Sequence, residues 1–188
     1  MKERGGIFMF IGPMFSGKTT SMMRKIEREA FAGFPGLIVR HGLDSRTEAM
    51  QTHDSFGILE ERDQRAGIRT VVVKSLAEVK FEGERVVGVD EGQFFDDLVL
   101  CDRWADEGKT IYVSALDGDD TREIFQSVSQ LIPKADRVKK LRAVCKFCGV
   151  DAPFSTCLVP KTEQVLVGGG EIYAAVCRRC FKTKKNNK

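Results

Sequence analysis

Gly12-Pro13-Met14-Phe15-Ser16-Gly17-Lys18-Thr19 matches the pattern G-x-x-x-x-G-K-[ST] of a phosphate-binding loop. Its flanks decide how it is read. The apolar run Ile7-Phe8-Met9-Phe10-Ile11 comes before it, and Met22, Met23, Ile26 and Ala30 follow at helical spacing. Strand, glycine loop and helix are the setting in which this motif works. The loop N–H groups turn inward around a polyphosphate, at the positive end of the helix that follows. Lys18 then reaches the β- and γ-phosphates, and the Thr19 hydroxyl ligates Mg²⁺. The stretch predicts a nucleoside-triphosphate site.

Further along, Gly36-Leu37-Ile38-Val39-Arg40, Thr70-Val71-Val72-Val73, Arg85-Val86-Val87-Gly88-Val89-Asp90 and Thr110-Ile111-Tyr112-Val113-Ser114-Ala115 read as buried strands. They are short and β-branched and lack clean polar alternation, which suits a parallel sheet covered on both faces. Helical stretches lie between them. One runs from Thr19 to Ala32 and stops at Gly33; Leu98, Val99, Trp104 and Ala105 mark another, ending near Gly108. The alternation predicts an α/β fold, a doubly wound parallel sheet. Ligands of such sheets sit at the carboxyl ends of the strands, where Gly12, Asp90 and Leu116 fall. After about Leu141 glycine and cysteine replace this rhythm. The boundary is set there, with residues 1–141 as a nucleotide-binding domain and 142–188 as a small appended unit.

With 42% hydrophobic and 30% charged residues the chain is a globular protein, and a net charge of +3 does not argue for nucleic acid. The basic end, Lys182-Thr183-Lys184-Lys185-Asn186-Asn187-Lys188, reads as a solvated tail. No apolar run approaches a membrane span, and the N-terminal residues lead straight into a strand without a signal peptide. A cytoplasmic setting follows, in which the six cysteines favour metal over disulfides.

Two clusters carry chemistry beyond the loop. Asp90-Glu91 ends an apolar strand. In a phosphate-loop protein an aspartate there holds the Mg²⁺ shell, and Glu91 beside it can act as general base. Water as nucleophile makes an ATPase and a substrate hydroxyl makes a kinase; these residues alone leave both open. Ser/His nucleophilic chemistry is poorly supported, since the only histidines are His41 and His53. The second cluster is Cys145-x-x-Cys148 and Cys177-x-x-Cys180, with 28 residues between the pairs. Paired C-x-x-C thiolates predict a closed, tetrahedral, structural Zn²⁺ site that lets a core-poor unit fold; a redox pair or an iron–sulfur centre suits a short ribbon less well. Cys101 and Cys157 are expected to be ordinary thiols. The intervening loop contains Val165-Leu166-Val167-Gly168-Gly169-Gly170 and then Tyr173, a glycine-rich segment that either covers a ligand or merely connects; composition alone leaves both open.

Taken together these pieces closely resemble the zinc-containing thymidine kinases of the cellular and poxviral type, over nearly the whole chain. The matching segments are Gly12 to Thr19, Asp90-Glu91-Gly92-Gln93-Phe94-Phe95, Ala115-Leu116-Asp117-Gly118, and the two C-x-x-C pairs with Tyr173 four residues before Cys177. The resemblance implies transfer of the ATP γ-phosphate to the 5′-hydroxyl of thymidine with Mg²⁺, deoxyuridine also being accepted, in pyrimidine deoxynucleotide salvage for DNA synthesis. It makes residues 1–141 the kinase domain and 142–188 a zinc ribbon carrying a lasso-like substrate loop. Glu91 takes the 5′-hydroxyl proton. Asp44 and Arg46 match a D-x-R segment near phosphates and metal, and Asp90 and Gln93 line the nucleotide side. Met14, Phe94, Leu116, Phe125 and Tyr173 wall the thymine and sugar. Backbone groups of Gln164, Val165, Leu166, Val167 and Gly168 read the base and disfavour cytosine, and Ser155 lies near the 5-methyl group. A homotetramer inhibited by thymidine triphosphate is also implied, with no membrane or nucleic-acid partner.

One stretch departs from the family. An aromatic residue usually follows the A-L-D-G turn, and a proline comes just before a second aromatic. Here Asp120 takes the first aromatic position and Ile124 the proline position, while Phe125 keeps the second aromatic. A carboxylate accepts a hydroxyl hydrogen bond but supplies no apolar wall, so altered nucleoside affinity is expected rather than lost chemistry. Two other readings compete: a zinc-containing, nucleic-acid-linked ATPase in which Glu91 activates water, and a catalytically silent subunit that keeps the fold.

Overall fold

The computed structural model describes residues 5–43, 67–159 and 169–185. Asp44, Arg46 and Gln164, Val165, Leu166, Val167 and Gly168 lie outside them. Six parallel strands form the main sheet: β1 (Gly6–Ile11), β2 (Gly36–His41), β3 (Ile68–Val73), β4 (Val86–Val89), β5 (Thr110–Ala115) and β6 (Arg137–Lys140). Their spatial order is β3-β2-β4-β5-β1-β6. The crossovers carry α1 (Lys18–Phe31), α2 (Leu100–Asp106) and α3 (Gln126–Leu131).

The sequence explains which strands lie inside. β2 and the all-apolar β4 are buried at every residue, β2 ending in the buried Arg40 and His41, whereas β3, expected to be buried, alternates because it is an edge strand. Pleating divides β1 between two cores. Ile7, Met9 and Ile11 join Val87, Val89, Phe95, Leu98, Ile111 and Val113 on one face. Phe10 joins Met22, Met23 and Ile26 of α1 with Ile38 and Tyr112 on the other. The sixth strand departs from the expectation of five. Arg137, Val138, Lys139 and Lys140 are all exposed, so no apolar run announces it. Pairing with β1 makes it a strand, and its lysines protect the free edge.

Small two-stranded sheets follow: β7 (Ala143–Val144) with β8 (Asp151–Ala152), and β9 (Phe154–Cys157) with β10 (Tyr173–Val176), ending in α4 (Arg178–Lys185). Their core holds Ala143, Ala152, Ala174, Ala175, Val176 and Phe181 together with Cys145 and Cys177. Alanines dominate it, so little apolar area is buried. Among the described residues no helix is long and apolar enough to cross a membrane.

Candidate active site and zinc centre

The phosphate loop leaves β1 at Gly12, where φ is +147° and an added Cβ would stand 2.6 Å from the Leu141 carbonyl oxygen. Only glycine fits that approach. Gly17, left-handed at φ 75°, caps α1 and starts its backbone ladder with Ser21 N–H donating to the Gly17 carbonyl at 2.9 Å. Within the loop the Pro13 carbonyl accepts from Lys18 Nζ and from Ser16 Oγ, each at 2.8 Å. Lys18 is thereby held inside the loop and is 6% exposed.

Strand order then assembles the acidic side. Because β5 lies between β4 and β1, Ser114 near its end reaches Asp90 at the end of β4. Asp90 Oδ1 accepts from Ser114 Oγ, from Thr19 Oγ1 at 2.9 Å and from the Glu91 N–H at 3.1 Å. The Thr19–Asp90 bond ties the first turn of α1 to β4 and puts two hard oxygens together, the donor chemistry Mg²⁺ prefers.

Glu91 follows in the left-handed region, at φ 50° and ψ 49°, starting a 3₁₀ turn over Gly92–Phe94. Only two other non-glycine residues among the described ones have positive φ: Phe15 in the phosphate loop and Arg122 in the turn after β5. Such strain persists where surrounding structure enforces it, and it clusters at working sites. Here Gln93 does the enforcing. Its Nε2 donates to Glu91 Oε2 at 2.5 Å and its Oε1 accepts from the Leu116 N–H at 2.9 Å. The buried carboxylate of Glu91 is thus aimed by an amide whose other end is fixed to β5's exit. Gln93→Leu keeps the volume and removes both bonds. We expect kcat to fall about tenfold with a much smaller change in nucleotide affinity. Steady-state kinetics with direct nucleotide titration check this, and an unchanged kcat would remove the aiming role.

On the other flank, Leu116 opens a compact turn built on Asp119. The Asp119 carboxylate accepts from Thr121 N–H and Oγ1, each at 2.7 Å, and from Glu123 N–H at 2.9 Å. Asp120 is half-buried in this turn, and Phe125 closes it by packing against the main core. Ser155 of β9 turns its hydroxyl to the phosphate loop, accepting the Met14 N–H at 3.0 Å. That N–H is therefore engaged with the cysteine-bearing unit, leaving the later loop amides to face phosphate. Tyr173 starts β10 opposite Cys157, and Phe94 stands 5.9 Å from the His41 ring.

Sequence reasoning named most of these residues but missed Ser114, Asp119 and the work of His41. The His41 Nδ1 accepts from Leu43 N–H and its Nε2 donates to the Lys74 carbonyl, both at 3.0 Å. The ring thus fixes the chain as it leaves β2, just before Asp44. A polar residue at the end of a buried strand was the available signal for Ser114.

The four cysteine sulfurs Cys145, Cys148, Cys177 and Cys180 lie within 4.8 Å of one another. Cys148 Sγ is 3.6 Å from the Sγ of both Cys177 and Cys180. A tetrahedral zinc with bonds of about 2.3 Å separates its sulfurs by about 3.8 Å, whereas a disulfide requires about 2.05 Å. The set fits Zn²⁺. Burial raises the Cys145 thiol, yet backbone groups of Cys177, Phe147 and Cys148 outweigh that and bring it to about 6, while hydrogen bonds with Cys148 and Cys177 push the Cys180 thiol up to about 12. Cys157 donates to the Val159 carbonyl, and full burial pushes the Cys101 thiol up and keeps it protonated. Neither belongs to the centre.

A parallel sheet, a phosphate loop tied to the acidic end of β4 and a braced glutamate define a nucleotide-binding phosphotransferase of the phosphate-loop class. The overall fold agrees with that of a flagellar accessory protein from Methanocaldococcus jannaschii, at a TM-score of 0.57 and 14% identity over 79% of this chain and 75% of that one. A family model described as thymidine kinase matches residues 5–181. The chain is 40% identical to the thymidine kinase of Myxoma virus (strain Lausanne), covering 94% of this chain and 96% of the relative. It is 39% identical to cytosolic thymidine kinase of Gallus gallus (98% and 80% covered) and 37% to that of Homo sapiens (97% and 76% covered). The chain belongs to the thymidine kinase family.

Proposed function

We infer that the protein phosphorylates thymidine at its 5′-hydroxyl with ATP. The observation that carries this reading is the Glu91 carboxylate, held left-handed and braced by Gln93 beside the Thr19–Asp90 pair. In a loose phosphoryl-transfer transition state catalysis is mostly positioning and charge neutralisation. Lys18 and the loop amides meet the β- and γ-phosphates, and Glu91 accepts the proton of the attacking hydroxyl. Thr19 and Asp90 would hold Mg²⁺, which neutralises phosphate charge when bound. The cysteine-bearing unit, residues 142–188 in this reading, lies over the nucleoside as a separate small domain, with structural Zn²⁺ at its root. Met14, Phe94, Leu116, Phe125 and Tyr173 line the nucleoside side. Asp44, Arg46 and the backbone from Gln164 to Gly168 complete the site by family resemblance. The reading extends to a cytoplasmic homotetramer inhibited by thymidine triphosphate.

The test is ATP-dependent phosphorylation of a nucleoside panel. Thymidine and deoxyuridine should yield monophosphates and deoxycytidine should not, because cytosine exchanges a donor and an acceptor at the edge the backbone reads. Asp120→Phe in the same assay should change the thymidine KM while leaving kcat within about threefold, since it touches an apolar wall and not the charge machinery. ATP hydrolysis stimulated by DNA, with no nucleoside product, would support the ATPase reading instead.

A further inference from the structure

Arg122 has no part in the chemistry above, yet it is one of the three left-handed non-glycine residues, at φ 74°. Its N–H donates to the Asp119 carbonyl at 3.1 Å, which closes the turn after Leu116. Its guanidinium carbon lies 4.5 Å from the ring centroid of Phe181 and 5.4 Å from that of Phe154. These rings are 5.8 Å apart and belong to the cysteine-bearing unit. Phe181 directly follows Cys180, a sulfur of the zinc centre; Phe154 directly precedes Ser155, whose hydroxyl holds the phosphate loop. Successive residues of a strand face opposite ways, so β9 engages the turn with one side chain and the phosphate loop with the next.

The turn itself does not need an arginine. Glycine meets a φ of 74° without strain but carries no guanidinium, whereas a residue with a Cβ is unfavourable there. The visible compensation is the pair of cation–π contacts, which a planar, weakly hydrated guanidinium makes more often than an ammonium does. Arg178 and Lys140 also approach the Phe154 ring, at 4.9 and 5.9 Å, but neither belongs to the turn. Lys140 ties the same turn to β6 through Asp117, at 2.5 Å, so loss of Arg122 leaves the turn anchored at its start.

We propose that Arg122 is a positioning residue that joins the turn of residues 116–125 to the zinc unit, so that the zinc unit sets where this turn stands against the nucleoside. The identity of that nucleoside rests on the thymidine kinase reading; the mechanical link does not.

The experiment compares wild type with Arg122→Ala, Arg122→Gly and Arg122→Lys in two readouts: separate KM values for thymidine and ATP, and the rate of zinc release to a chromogenic chelator without nucleoside. Alanine and glycine should each raise the thymidine KM about tenfold and leave the ATP KM within about twofold, with lysine between them and wild type. Zinc release should speed up severalfold in the alanine and glycine variants. Wild-type behaviour of Arg122→Gly would show that only the backbone mattered and overturn the proposal, as would an equal rise in both KM values or an unchanged zinc-release rate. A wild-type protein inactive on thymidine would count against the kinase reading alone. The zinc-release comparison, which needs no substrate, would then decide on Arg122.

Discussion

Glu91→Gln is expected to lower kcat for thymidine phosphorylation by about 10²–10⁴-fold, the range of a general base. The substitution is nearly isosteric. A glutamine oxygen at the same place still accepts from Gln93 Nε2, so the bond recorded at 2.5 Å and the left-handed backbone both have reason to persist. What goes is the ability to take a proton at neutral pH. Lys18, the loop amides and the Thr19–Asp90 pair are untouched, so nucleotide affinity should stay within about threefold of wild type. Rapid-quench kinetics and a nucleotide titration on the same sample separate the two effects. A variant with near-normal kcat would mean that the 5′-hydroxyl loses its proton elsewhere, and Glu91 would become a positioning group.

Stripping zinc, or replacing Cys177 by serine, should be nearly as severe, for a reason rooted in packing. The unit that bears the four cysteines has a core of four alanines, one valine and Phe181 beside its cysteines. So thin a core does not fold on hydrophobic burial alone, whereas structural zinc in small peptides supplies about 10–16 kcal/mol of apparent binding free energy at neutral pH. The same unit holds Ser155 on Met14 and the rings under Arg122. We expect metal content to fall from one zinc per chain to none and activity to drop by about 10²-fold or more. Far-UV dichroism should keep its main-sheet signal, since the two cores of that sheet share no residue with the cysteine unit. Elemental analysis, assay and dichroism on one preparation check this; full activity in verified zinc-free protein would reduce the metal to an accessory.

Much of the site was legible before folding was considered. Gly12, Gly17, Lys18 and Thr19 lie within one loop whose chemistry is local, and their spacing carries it. The first five strands were legible as apolar runs, because strands covered on both faces are largely apolar; β3, read as buried from Val71-Val72-Val73, instead lies at the sheet edge with Val72 exposed. The cysteines announce themselves by a spacing that a metal imposes. Family resemblance then supplied thymidine, which no residue pattern alone specifies.

Other features had no local signature. Strand β6 is Arg-Val-Lys-Lys, exposed at each residue, and exists as a strand only because β1 offers it a ladder. Ser114 meets Asp90 because β5 was inserted between β4 and β1, a fact of strand order. Gln93 was assigned to the nucleotide side by resemblance, while its amide links Glu91 to the N–H of Leu116, which lies 23 residues beyond Gln93. Ser155 reaches Met14 across 141 residues, and Arg122 meets Phe154 and Phe181 from another element altogether. Spacing and periodicity record what a residue does with its near neighbours in the chain. Hydrogen-bond partners and ring contacts brought together by sheet order leave no such record, so motif and metal ligands belong to the sequence, and the bracing of Glu91 and the grip on the phosphate loop belong to the fold.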